Sequence, residues 1–586
     1  MKNHELAGVF RRMGRLLDVK GENVFKVRSY FKAADQLEGL PEDIEIVQQE
    51  NRLADISGIG KAFQSKIIEF CQTGKIQSYE NLITELPESL LDLFQVPSLG
   101  PKKIKELYAH YHVTSVSDLE VVLQKPDIRT LKGFQKKTID KIIEGLALYK
   151  KKQALMDIAS ATRLAERIMT DMRAQTSIKK IVAAGSVRRM KETIRDIDLL
   201  GVAEDSADIM DAFVRLPYVK TIQSYGTTKS SILTDNDIQV DLRIVDESQF
   251  GAAWIYFTGS KNFNILLRQL AMTNNQKVNE YGVFQVDDEE ELILAKKTEK
   301  DCFKALNLPY IPPEVREDIG FRGGVSVLCG EESHFRLKRT IKALVDYSDM
   351  KGDLHVHSSW SDGKDNIETL VQAAIKREYQ YIGICDHSEK LVIANGLSAE
   401  AVFKKKKEIA VLQNKYPRIH ILHAAEVEID RDGNLDYDDD VLQSFDIVIA
   451  AIHTGHEQSA EQLTQRLLTA IENPFVHVIA HPTGAHLGKR EPYDIDFNRV
   501  CQAAVKNHVC LEINAFPVRM DLNAQRSHIA SQYGVKLMIN TDAHAQEHLD
   551  YMIYGVGVAR RAWLKSDDVV NTGSRAVFLE WLNAKK

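Results

Sequence analysis

Beyond residue 350 the chain repeats one rhythm, a short apolar run that ends in a side chain able to ligate a metal ion. Asp353-Leu354-His355-Val356-His357 is followed by Asp362, and Tyr381 to Cys385 runs into Asp386-His387. Ile419 to Leu422 leads on to Glu426, Ile447 to Ile452 ends at His453, Val478 to Ala480 ends at His481, and Leu537 to Ile539 leads into Asp542 and His544. Runs this short and apolar read as buried strands, and helical stretches such as 366–376 and 459–472 separate them. Parallel strands joined by helices close into a barrel whose strand C-termini share one face, where such barrels place their chemistry. A lone histidine is more often a packed or surface residue, and His420, His423, His456, His477, His486, His508, His528 and His548 are read that way. His355, His357, Asp362, His387, Glu426, His453, His481, Asp542 and His544 instead predict one metal centre, since all nine fall at comparable strand ends and have preferred ligand chemistry. The histidine distribution agrees, with 14 of 18 after residue 350.

A second constraint lies upstream, in Gly185-Ser186-Val187-Arg188-Arg189 followed by Asp196-Ile197-Asp198-Leu199-Leu200. Side chains alternate along a strand, so Asp196 and Asp198 face one way while Ile197 and Leu199 enter the core. Two carboxylates that close repel unless a divalent cation lies between them, and hard oxygen ligands suit magnesium or manganese. A third, Asp241, is available in the alternating strand Ile238 to Ile244. Gly185 and Ser186 end an apolar run and precede the arginines, so their backbone amides together with Arg189 are candidates to cradle a triphosphate.

The N-terminal part reads as short amphipathic helices, with Leu6, Val9, Phe10, Met13, Leu16 and Leu17 at helical spacing. Three related turns follow: Ile56-Ser57-Gly58-Ile59-Gly60-Lys61, Val96 to Ile104 around Gly100 and Lys102, and Leu131 to Ile139 around Gly133. An apolar residue, a tight glycine turn and a lysine-bearing helix start make a hairpin whose amides face one phosphate. Repetition at three places favours binding of a nucleic-acid backbone over a plain helix-helix turn. The third copy departs from the pattern, with Gln135 where glycine is expected.

With 586 residues the chain has room for about four domains. Its formal net charge of -7 excludes a globally basic nucleic-acid binder and confines DNA contact to local strips such as Lys132, Lys136, Lys137, Lys141 and Lys150 to Lys152. Cysteines 71, 302, 329, 385, 501 and 510 form no C-x-x-C pair or disulfide framework, as in a reducing compartment. With no leader-like start and no apolar run near the roughly 20 residues of a membrane span, a cytoplasmic, non-membrane protein is expected, as a monomer.

Segment 185–200 resembles the nucleotidyltransferase signature of the X-family DNA polymerases, and the resemblance continues in Tyr256-Phe257-Thr258-Gly259-Ser260, Asn264 and Arg268. It implies that Asp196, Asp198 and Asp241 hold two catalytic magnesium or manganese ions, and that Gly185, Ser186 and Arg189 meet the phosphates of a deoxynucleoside triphosphate. It further implies that Tyr256 and Phe257 sit at the sugar, with Asn264 and Arg268 near the base pair and Gly259 also in the nucleotide site. The three turns resemble helix-hairpin-helix elements, with Gly58, Gly60, Gly100, Lys102 and Gly133 on gapped or nicked DNA. Lys66 falls where some X-family members carry a Schiff-base lysine for lyase chemistry, and a solvated phosphate-binding lysine is the other reading. The C-terminal half resembles the PHP (polymerase and histidinol phosphatase) domain, which implies a barrel holding up to three zinc or manganese ions and hydrolysing phosphoesters.

Together these readings give a multidomain chain. A helical, lyase-like domain spans 1–85, and a helix-hairpin-helix subdomain 86–152. An α/β nucleotidyltransferase palm spans 153–255, and a thumb-like nascent-base-pair subdomain 256–325. A linker over 326–350 leads to a distorted TIM-like PHP barrel over 351–586. This order resembles a bacterial X-family polymerase that fills short gaps in repair. Its barrel is expected to act as a 3'-5' exonuclease, with abasic-site endonuclease or 3'-phosphatase activity as further options. Two rivals stay open: a polymerase half reduced to a DNA-binding module that feeds the nuclease, and a small-molecule phosphatase. Departures from the family patterns are Met190, Arg195, Ala425 and Ala485.

Overall fold

A computed structural model describes residues 2–38, 40, 44–56, 58–153, 155–287, 291–317 and 331–585. Ser57, the end of the expected nascent-base-pair subdomain (318–325) and the start of the expected linker (326–330) lie outside the described residues, as do the side chains of Lys150 to Lys152. The chain divides into two compact units, Met1–Gln153 with Lys390–Gly396, and Ala154–Glu389 with Leu397–Lys586.

The first unit is helical. Helices Lys2–Lys20 and Val24–Glu38 pack against each other and bury Leu6, Phe10, Met13, Leu16 and Leu17, the stripe expected from the spacing. The three hairpins share one backbone. Gly58, Ser98 and Gly133 take positive φ (85°, 70° and 88°), the next residues, Ile59, Leu99 and Phe134, are buried, and helices Lys61–Thr73, Pro101–Tyr111 and Lys136–Gln153 follow. The carbonyls of Gly60, Gly100 and Gln135 each open their helix by accepting from the residues three and four ahead. Gln135 thus keeps the hairpin geometry, for Gly60 and Gly100 stand in extended backbone that any residue can adopt.

In the second unit a five-stranded palm sheet runs in the order Lys180–Ala183, Asp196–Val202, Gln239–Val245, Lys229–Thr234, Val219–Ser224. Only the pair Asp196–Val202 and Gln239–Val245 is parallel, and it sets Asp198 directly opposite Asp241. Helices Phe250–Thr258 and Lys261–Thr273 and a three-stranded antiparallel sheet complete the thumb-like part. Trp254 ties the first of these helices to the palm by donating to the Ala183 carbonyl at 3.1 Å.

The barrel has seven parallel strands in chain order: Gly352–Val356, Tyr381–His387, His420–Glu428, Ile447–Ala451, Val478–Ile479, Cys510–Asn514 and Leu537–Asn540. A parallel bridge from Val356 to Ala543 brings the first strand to the end of the last. Nearly every strand residue is buried, which is why these runs lack alternation in sequence. Inside, Leu354, Cys385, Leu422, Ile447 and Ile449 pack together, and the C-terminal helix Arg575–Asn583 adds Phe578 and Leu582. Palm and barrel share one continuous apolar core. Among the described residues no helix is long and apolar enough to cross a membrane.

Candidate active sites

The palm strand Asp196–Val202 alternates as expected, with Ile197 and Leu199 buried while Asp196 and Asp198 stand on the opposite face. The chain reaches this strand through the short helix Gly185–Arg188, whose first residue passes directly over Asp198. Gly185 holds φ 55°, and a Cβ there would run into the Asp198 carboxylate. Glycine is therefore required twice over, by backbone and by space.

One cleft of ≈ 410 Å³ gathers Gly185, Ser186, Arg189, Asp196, Asp198, Tyr256, Phe257, Gly259, Asn264 and Arg268, every nucleotide-site residue expected from sequence. Asp241 adjoins them across the parallel pair, where it accepts from Gln239 at 2.8 Å and lies 3.3 Å from the Lys229 ammonium. Burial, with the Asp196 and Asp241 carboxylates beside it, pushes Asp198 up to about 6. Such mutual repulsion is what divalent cations relieve, so the acids fit a metal pair. Ser186 Oγ is buried with no hydrogen-bond partner, a vacancy that suits a phosphate oxygen.

The two arginines separate in role. Arg188, partly buried, forms a bidentate pair with Glu299 (2.8 and 2.7 Å) and stacks on Trp254, whereas Arg189 reaches the cleft and donates to Glu317 at 2.7 Å. Asn264 spends its amide on the Tyr256 carbonyl at 2.7 Å. Sequence reading assigned no role to Thr258 and missed Lys261, which both line the cleft, and Glu317, which holds Arg189. Arg195 is exposed and does not line the cleft.

At the barrel's strand ends the nine expected ligands converge. Three overlapping nests form: His357, Asp362, His387 and His544; His355, His357 and Asp542; and His387, Glu426 and His453. Within each, the donor atoms lie within 4.8 Å of one another. His481 joins through its Nε2, 2.9 Å from Glu426. The Nε2 atoms of His355, His357 and His453 are buried without hydrogen-bond partners, a costly state that metal coordination resolves. Asp542 and His481 hold positive φ (53° and 28°), as residues at over-determined functional sites do.

Carboxylates behind the nests orient them. His355 donates from Nδ1 to Glu512 at 2.8 Å and His453 from Nδ1 to Glu428 at 2.7 Å, which leaves each Nε2 aimed inward. Burial, then the neighbouring His544 and His387, lowers His357 to about 4, the neutral form a ligand needs. Burial opposes charge on His387 too, but Glu426 and Asp362 outweigh it and raise that ring to about 10. Glu428 and Glu512 were missed from sequence, though an acid inside an otherwise apolar strand was the available signal. Arg519, 3.1 Å from Asp542, was missed as well, and its loop gave no such signal.

In the helical unit Lys66 is partly buried and donates to the Ala62 carbonyl at 3.2 Å. Burial and then Lys26 lower its proton affinity while Glu69 opposes them. A Cβ on Gly60, Gly100 or Gly133 would meet nothing within 4 Å, so these glycines leave open backbone at the hairpin tips.

Comparison with known proteins covers four stretches of the chain. Family models cover residues 1–76 (helix-hairpin-helix domain), 90–148 (SAM-like helix-hairpin-helix tandem), 253–317 (DNA polymerase beta thumb) and 353–515 (PHP domain). A Bacillus subtilis (strain 168) protein, DNA polymerase/3'-5' exonuclease PolX, is 37% identical over 576 residues, 98% of each chain. The chain belongs to the bacterial PolX family. Two further relatives match part of the chain. Rat DNA polymerase lambda is 23% identical over 52% of this chain and 54% of its own, and a probable phosphatase of Thermoanaerobacter sp. (strain X514) is 29% identical over 40% of this chain and 95% of its own. The resemblance to an X-family polymerase with a C-terminal PHP domain is thus borne out, as is the multidomain fold.

Proposed function

We infer that the protein is a DNA-directed DNA polymerase that fills short gaps and also removes nucleotides from 3' ends in its barrel. The observation that carries this reading is the register of Asp198 opposite Asp241 beneath Gly185 and Ser186, in a chain similar end to end to a protein named DNA polymerase/3'-5' exonuclease.

In the palm, Asp196, Asp198 and Asp241 would hold magnesium or manganese. Such ions lower the pKa of a primer hydroxyl and neutralise charge on the phosphates. Gly185 amide, Ser186 and Arg189 orient the triphosphate, and Tyr256 and Phe257, whose rings meet edge to face at 5.2 Å, wall the sugar side. Arg189 must leave or share Glu317 to meet a phosphate, so nucleotide binding is coupled to the 313–317 turn. In the barrel the nine ligands would hold manganese or zinc, ions that activate water and clamp a phosphate. Glu428 and Glu512 keep His453 and His355 in the ligating tautomer. Gly58, Gly60, Gly100, Lys102 and Gly133 would grip the backbone of gapped DNA, and Lys66 is placed to serve either as an added phosphate contact or as an amine nucleophile.

A single gapped, labelled duplex tests the whole reading with magnesium, manganese and zinc in turn. Asp198→Ala is expected to lose insertion by at least 100-fold and keep primer degradation, and Asp542→Ala the reverse. Insertion that survives Asp198→Ala, or degradation that survives Asp542→Ala, overturns the corresponding assignment.

A further inference from the structure

Besides donating to the Thr258 carbonyl, the nucleotide-facing Arg189 is held by two stretches of chain, and both lead back to the end of one barrel helix, Met552–Arg561. The first is the segment that follows Arg189. Glu192 within it meets Arg561 at 2.5 Å and accepts from the Ala524 backbone N–H at 3.2 Å, and Arg561 also reaches the Met190 carbonyl at 3.5 Å. Gly557 lies against Met190, where a Cβ would come within 2.9 Å of the Met190 Cβ. Met190 itself holds φ 54°. Its departure from the family pattern therefore coincides with a barrel helix packed directly on this turn.

The second stretch is the 313–317 turn. Arg560 meets Glu314 at 3.1 Å and donates to the Val345 carbonyl at 2.8 Å. Three residues on, Glu317 accepts from Arg189 at 2.7 Å, while the Arg316 carbonyl between them accepts from the Ser260 N–H, between the cleft-lining Gly259 and Lys261, at 3.1 Å. Arg316 is anchored in turn by Glu299 at 2.9 Å. Two adjacent arginines on the barrel thus fix two of the supports of one arginine in the palm.

We propose that Arg560 and Arg561 are positioning residues of the polymerase cleft, so that the barrel helix sets where Arg189 meets the incoming nucleotide. The inference rests on Arg189 being the phosphate contact.

Stability alone does not account for the arrangement. The Arg561 and Glu192 side chains are only 7% and 20% exposed, and a buried ion pair recovers little more than the cost of drying its two charges. What such a pair does supply is direction, since a buried carboxylate stripped of its cation must move or take up a proton. Burial raises the pKa of Glu192, but Arg561 and the Ala524 N–H outweigh it and hold the group ionised. Without Arg561, the segment from Met190 to Glu192 has to rearrange, and Arg189 with it.

The test uses the full-length protein on a single-nucleotide gap. KM and kcat for insertion are measured beside the dissociation constant of the matched nucleotide on a dideoxy-terminated primer. Arg561→Ala is expected to raise KM and that constant about tenfold, the loss of one charge-assisted contact, with kcat changed less than threefold. Arg561→Lys should restore most of the loss. Glu192→Gln, which keeps an acceptor for Ala524, should raise KM likewise, and combining it with Arg561→Ala should add nothing. Degradation of single-stranded DNA by the barrel should stay within twofold of wild type. Unchanged KM in both Arg561→Ala and Glu192→Gln, additive effects, or failure of lysine to rescue overturns the proposal. If Arg561→Ala does not fold, the Glu192→Gln and Arg561→Lys results decide it. A wild-type protein that inserts no nucleotide would instead defeat the polymerase reading and take this inference down with it.

Discussion

Asp198 shows how a single side chain carries a cost the protein accepts for chemistry. Its ordinary carboxyl value of 3.8 rises to about 6 in the folded protein, because burial and two neighbouring carboxylates oppose its charge. Between those values the folded state holds a proton that the unfolded state has lost, so metal-free stability is fullest below about pH 4 and declines as pH rises through 6. Asp198→Asn should therefore stabilise the metal-free protein at pH 7.5 by about 1–3 kcal/mol, an advantage that disappears at pH 4. Thermal melts after chelation check this, and a gain independent of pH would show the cause to be something other than charge. Glu512 offers the opposite case, a fully buried acid that stabilises by orienting His355. Glu512→Gln is expected to weaken divalent-ion retention by about 10–100-fold, read by ion content after dialysis. Retention equal to wild type would mean that the His355 ring is aligned by packing alone.

Among the elements, the hairpins separate what folding needs from what binding needs. Gly58 and Gly133 occupy left-handed backbone, but Gly100 sits at φ -95° with no atom within 4 Å of a Cβ position. Folding therefore makes no demand for glycine at 100, and the open space beside the amides is left for a phosphate. Gly100→Val should leave the melting temperature unchanged and weaken gapped-duplex binding by about 3–10-fold, with a shallower salt dependence. A drop in stability with intact binding would assign the glycine to the fold. The same reasoning accommodates Gln135, whose carbonyl opens its helix as those of Gly60 and Gly100 do.

At the scale of the whole molecule, the proposed grip on nucleic acid would serve two centres of phosphorus chemistry, with charge organised locally to match. The overall balance of -7 places no general attraction on DNA, so the lysine-bearing hairpins must supply it. Much of this was legible in the chain itself, for a definite reason in each case. Strand alternation put Asp196 and Asp198 on one face, the recurrence of apolar runs ending in histidine or acid implied a barrel, and a thrice-repeated turn implied a backbone grip, since each pattern follows from periods of the chain and needs no partner. Other features had no local signature. That Arg188 is locked to Glu299 while its neighbour Arg189 faces the cleft depends on residues more than a hundred positions away. Glu428 and Glu512 become histidine supports only once strands meet side by side, and the Gly185 backbone becomes indispensable only because Asp198 is folded beneath it. The seven-strand closure and the Arg560 and Arg561 clamp likewise exist only in three dimensions. Sequence by itself determined which side chains have the chemistry and which face of its element each one takes, because those are fixed within a few residues of backbone. Tertiary structure alone decided which charges neutralise each other and which are left free to act, because that depends on distances between segments remote in the chain.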